Sequence, residues 1–198
     1  MNTKKKILMA LALVGCAILL VVGSVAVTMA YLTSKTGTIT NTFTVGNIAI
    51  TMDESVTDLY GAVTSGKTTT GNEYKLIPGQ SYTKDPTIHV AAKSENAYLF
   101  VKVENGIADI EDSSNTIAAQ LTENGWTSLN GVANVYYQTY TSKDTDLDVA
   151  IFSSFKIAST FTGDTTYADA EVKVTAYAIQ QAGFADANAA WTASGFGN

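Results

Sequence analysis

The sequence predicts an all-β protein, an antiparallel β-sandwich with one short helical insertion, preceded by an N-terminal signal helix. Segments of alternating apolar and polar residues recur from Ile39 to Gln181, and turn residues separate them. Charged residues make up only 15% of the chain, and Thr, Ser, Gly and Tyr are abundant, which suits pleated structure better than helix. Of the 198 residues, roughly 168 follow the leader, which is one domain's length and enough to bury a core without staples.

The leader comes first. Lys4, Lys5 and Lys6 form a positive start, and residues 7–27 are apolar apart from small Gly and Ser. That is the layout of a secretory signal, although a run of about twenty residues is also long enough to span a bilayer. Cleavage is expected between Ala30 and Tyr31, where the apolar run ends; Ser24-Val25-Ala26 offers a second small-residue site. Leu13-Val14-Gly15-Cys16 has the form of a lipobox, but the apolar residues after Cys16 argue against lipidation there. The organisation expected is a signal peptide over 1–30, an N-terminal β-segment over 31–46 and a β-sandwich domain over 47–198.

The segment after the leader is extended by composition, with Thr at 33, 36, 38, 40, 42 and 44. Its apolar residues Ile39, Phe43 and Val45 share odd parity, with Asn41 the exception, whereas Ile48, Ile50 and Met52 share even parity. A strand's side chains alternate between faces, so this switch turns the apolar face over at Gly46-Asn47, where a bulge or change of sheet is easiest.

Residues 54–71 have few large apolar side chains and read as a surface excursion. Pro78-Gly79 is a turn, and Asp85-Pro86 opens a strand with Ile88, Val90 and Ala92 facing in and His89 facing out. Residues 97–103 are apolar on one face and half-apolar on the other through Tyr98 and Phe100, the pattern of a central strand. A helix is expected over 113–124, capped by Asp112 or Ser113 and stopped by Gly125. Strands are expected over 132–140, 147–158 and 171–181, followed by a short helix capped by Asp186 and carrying Trp191.

Chemistry is sparse. Without Lys4, Lys5 and Lys6 the net charge of −6 becomes −9, and there is no arginine, a poor composition for gripping nucleic acid. His89 is the single histidine and Cys16 the single cysteine, so no enzyme constellation, zinc site or cofactor is expected. Asp144, Asp146 and Asp148 open like a calcium loop, but Val149 and Phe155 stand where glycine and glutamate are needed, leaving a weak candidate beside a solvated turn. Asp109, Glu111 and Asp112 form a second acidic cluster, read as favouring the positive end of the following helix. The tyrosines fall mostly in strands and read as packing residues.

Several motifs together resemble a known family. The Lys-rich start, the long apolar run, Ala30-Tyr31-Leu32-Thr33, residues 41–47 (NTFTVGN), Ile77-Pro78-Gly79-Gln80, residues 82–86 (YTKDP) and residues 175–180 (TAYAIQ) look like exported proteins cleaved by the SipW-type signal peptidase, the TasA/camelysin group. The resemblance covers nearly the whole chain. It implies a jelly-roll sandwich, secretion to the extracellular matrix or cell surface, and fibres made by donor-strand exchange. Tyr31 to Val45 would be the donor, with Ile39, Phe43 and Val45 filling a neighbour's pockets; the partners would be other copies and the peptidase, with membrane contact only through an uncleaved leader. The alternatives are an edge strand pairing within its own sheet, and a monomeric adhesin or carbohydrate-binding module. A protease, as some camelysin relatives are described, would need the His-Glu-x-x-His set that this chain lacks.

Overall fold

A computed structural model describes residues 47–197; the leader, the Ala30–Tyr31 site and the segment with Ile39, Phe43 and Val45 lie outside them. The described residues are mostly β-structure, in antiparallel sheets with two α-helices. One four-stranded sheet has the order β2 (Val63–Thr68), β1 (Ile50–Thr57), β4 (Thr87–Val90), β8 (Leu147–Ala150). A second has the order β10 (Val172–Gln180), β5 (Ala97–Asn105), β7 (Val135–Tyr140), β6 (Thr127–Ser128). A two-stranded sheet joins β3 (Ser81–Thr83) to β9 (Ser154–Lys156).

The alternation read from the sequence explains the core. Ile88 and Val90 are fully buried on β4, and His89 between them is not. On the central strand β5, Ala97, Leu99, Val101 and Val103 face one large cluster shared with Ile88, Val90, Tyr82 and Phe155. The opposite face of β5 carries Phe100, which packs with Leu129, Val135 and Trp191 in a second cluster. Trp191 belongs to helix α2 (Ala187–Ser194), where Asp186 accepts a hydrogen bond from the Ala189 N–H, as expected of its cap.

Four expectations are corrected. Residues 54–71 are not wholly a surface excursion: β1 continues to Thr57 and β2 returns beside it. Asp58 makes that reversal, its Oδ1 accepting from the N–H groups of Tyr60 and Ala62, and Gly61 takes φ +81° there. A side chain at Gly61 would meet the Tyr82 backbone at 2.6 Å, so glycine is required twice over. The internal helix α1 spans Ile117–Glu123 and is capped by Thr116, not by Asp112 or Ser113. Asp112 instead closes a turn onto Ser114 and pairs with Lys156, drawing the chain away from helix until Thr116.

The third concerns residues 147–158, which form two strands in different sheets. Ile151 and Phe152 are adjacent and both buried, which no continuous strand with one buried face allows. Gln120 of α1 holds the break: its Oε1 accepts from the N–H groups of Ser153 and Ser154, and its Nε2 donates to the Ser154 carbonyl at 2.7 Å. Trp126 Nε1 and Asn124 Nδ2 donate to the carbonyls of Ala150 and Ile151 just before it. Backbone groups freed from the ladder are thus satisfied by side chains. The strand expected from 132 begins at Val135, after Asn134 with φ +61°.

Candidate functional site

The site begins with an unpaired strand edge. β10 pairs with β5 along its whole length, and among the described residues no strand pairs with its other side. At its two ends, the Gly106 N–H donates to the Glu171 carbonyl and the Gln181 N–H to the Asn96 carbonyl, each at 2.9 Å. Antiparallel bonding alternates residue by residue, so odd positions of β10 face β5. The even positions Val172, Val174, Ala176 and Ala178 therefore turn their N–H and C=O groups to the open edge. Their side chains pack toward the main core but are only half-buried.

At the Val172–Lys173 end of this edge lies a groove of about 1000 Å³, walled by residues 70–76, 163–165 and 167–173, and lined also by Ile107 and Phe155. A smaller hollow of about 300 Å³ lies beside Met52, Glu54, Lys84 and residues 172–175. Aromatic packing holds Phe155 at the groove: Tyr82 stacks on Phe155 at 4.8 Å, and Tyr74 meets Phe155 edge-on at 5.1 Å. Tyr74 donates its hydroxyl hydrogen to the Thr83 carbonyl at 2.8 Å, and burial raises its pKa above the usual phenol value.

A buried ion pair sits beside these hollows. Lys84 Nζ donates to Glu54 Oε2 at 2.8 Å, with Lys84 8% and Glu54 5% exposed. Asn72 Nδ2 donates to Glu54 Oε1 and to the Ser55 carbonyl, both at 2.9 Å, while its Oδ1 accepts from the Thr57 N–H. Glu54 is thereby committed on both oxygens. Lys84 has three donors, and among the described residues only Glu54 takes one. Lys84 borders both hollows. At the rim, Lys173 pairs with Glu171 at 2.6 Å, which raises the lysine pKa. A charged side chain there is a common device for discouraging chance edge pairing.

His89 bridges three strands on the outer face of the first sheet. Its Nδ1 is 2.7 Å from Asp148 Oδ1 on β8, and its Nε2 is 3.1 Å from Asp53 Oδ2 on β1, a charge contact without hydrogen-bond geometry. The hydrogen bond to Asp148 is the main cause of a raised His89 pKa, partly opposed by desolvation. A raised folded-state pKa stabilises fully below the unfolded value of about 6.5 and is lost as pH rises through the folded value. Thermal unfolding is therefore expected to occur at a lower temperature at pH 8 than at pH 6, with the difference smaller in His89→Gln. An equal pH dependence in both proteins would contradict this role.

The other acidic residues are dispersed. Asp144 is exposed, Asp146 Oδ1 accepts from the Ala92 N–H at 2.7 Å, and Asp148 holds His89. Among the described residues no group of three or more His, Cys, Asp or Glu side chains is placed to hold a metal ion. Glu111 accepts from the first helical N–H of α1, at Ile117, and its pKa is raised by burial. Hydrogen bonds from Ser114, then Lys156, hold the Asp112 carboxyl well below the usual carboxylate range. Asp109 stays exposed.

The sequence reading passed over Glu54, Asn72 and Lys84. A signal existed: Glu54 continues the even parity of Ile48, Ile50 and Met52, and Lys84 continues that of Tyr82, so each puts a charge on an inward face. Among the described residues no helix is long and apolar enough to cross a membrane. Comparisons with protein-family models, curated proteins and solved structures find no significant match.

Proposed function

We propose that this protein is an exported structural component of the cell surface or extracellular matrix, whose copies join when an N-terminal strand of one enters the β10 groove of the next. The observation that carries this reading is the open edge of β10, whose core face carries half-buried apolar side chains and whose Val172 end borders a groove. An added strand gains main-chain bonds from the free edge and specificity from alternate side chains. β10 has nine residues, the length of the stretch from Gly37 to Val45. In this reading the two larger sheets are the layers of a jelly-roll-like sandwich, as in the TasA/camelysin group that the chain resembles. Cleavage after Ala30 by a SipW-type peptidase frees the strand only after export, which keeps the chain from polymerising inside the cell.

No catalytic step is proposed for it. Phe43→Asp tests the reading, because burying a carboxylate in an apolar pocket is strongly unfavourable. Filaments of the exported protein are expected to disappear from electron micrographs while the unfolding temperature changes little. Filaments of normal length from Phe43→Asp would refute the reading and favour a monomeric adhesin.

A further inference from the structure

We infer that Asn41 is the register-setting residue of the assembly, entering the groove of a second copy where Lys84 and Glu54 are buried. This rests on the strand-insertion reading above and adds the position at which the strand locks.

Ile39, Asn41, Phe43 and Val45 have one parity, so an inserted strand would carry them on one face, and Asn41 is the one polar residue among them. The groove has a matching irregularity. Val172, Val174, Ala176 and Ala178 present apolar side chains on the core face of β10, yet the hollows at its Val172–Val174 end hold a lysine that is 8% exposed and has two N–H donors without partners among the described residues. An asparagine carbonyl placed there accepts from Lys84, and an aliphatic side chain cannot.

One register satisfies the neighbours as well. Lys84 and Glu54 lie beside Val174 in the smaller hollow, and Val172 borders both hollows. With Asn41 opposite Val174 and the segment antiparallel to β10, Phe43 falls opposite Val172 and Val45 opposite Ala170, at the larger hollow with Phe155. Ile39 then falls opposite the small Ala176. The paired residues place their side chains on one face, as antiparallel partners must; Ile39, Asn41 and Phe43 meet even positions of β10 whose backbone groups are free, and Val45 lies just beyond its start.

Two measurements test this, both in the exported chain beginning at Tyr31, which carries no cysteine of its own. First, Asn41→Leu is expected to weaken self-association at least about tenfold, because Lys84 loses its acceptor while the strand becomes more apolar. The variant Glu54→Leu/Lys84→Met is expected to relieve that penalty. Unchanged association of Asn41→Leu would overturn the inference. Second, a mixture of Asn41→Cys and Val174→Cys chains is expected to form an intermolecular disulfide, since facing residues lie about 5.5 Å apart. Asn41→Cys mixed with Ala178→Cys is expected to form none, the two lying about 13 Å apart. Crosslinking to Ala178→Cys alone would overturn the register and leave strand insertion standing. Filaments that crosslink at neither position would overturn the groove as acceptor. A disulfide closing within one chain that carries both Asn41→Cys and Val174→Cys would show self-pairing in place of a second copy.

Discussion

A chain beginning at Gly46 is expected to form no filaments and to keep its fold. Among the described residues, two clusters hold the domain together, built from Tyr82, Ile88, Leu99, Phe155 and Ile157 on one side and Phe100, Leu129 and Trp191 on the other. Removing residues 31–45 is therefore expected to cost the fold little. Under the proposed strand insertion, assembly would lose the main-chain bonds along β10 and the burial of Ile39, Phe43 and Val45, each such side chain contributing roughly 1.5–3 kcal/mol when fully buried. Electron microscopy and thermal unfolding on the same preparation separate the two effects. Filaments from the truncated chain would contradict strand insertion, and a collapse of its unfolding temperature would mean that the segment belongs to the chain's own sheet.

The largest effect on stability is expected at Lys84. Replacing it by methionine leaves the Glu54 carboxylate 5% exposed with its ammonium partner gone. Losing one member of a buried pair costs about 3–5 kcal/mol, which for a domain of this size lowers the melting temperature by about 10 °C. Glu54→Leu combined with Lys84→Met removes both charges and is expected to recover most of that loss, because two apolar side chains need no compensation. Urea unfolding of the single and double variants measures the coupling. A double variant less stable than Lys84→Met alone would mean that Asn72 and the Thr57 N–H depend on Glu54 more than Glu54 depends on Lys84.

Much of the domain was legible from alternation alone. The central position of β5, the outward His89, the Pro78-Gly79 turn and the Asp186 cap all follow from local pattern, and the structure places them so. Local pattern failed where tertiary partners decide. The break after Ala150 depends on Gln120, which lies about thirty residues earlier and supplies the hydrogen bonds that the ladder gives up. The cap at Thr116 prevails because Asp112 is drawn off by Ser114 and Lys156.

The groove was the least legible feature. Alternation says which face of β10 is inward but not whether a neighbour pairs with each edge, and Val172 to Gln180 reads equally well as an interior strand. The inward charges of Glu54 and Lys84 were visible as parity. Their meaning depends on two side chains thirty residues apart meeting at 2.8 Å.

Amide hydrogen exchange at β10 tests the central claim most directly. In the chain beginning at Gly46, the N–H groups of Val172, Val174, Ala176 and Ala178 are expected to exchange much faster than those of Lys173, Thr175 and Tyr177, which face β5. Adding a peptide of residues 31–45 is expected to slow the even-numbered amides selectively. Even-numbered amides already protected in the truncated chain, or unchanged at saturating peptide, would contradict the account.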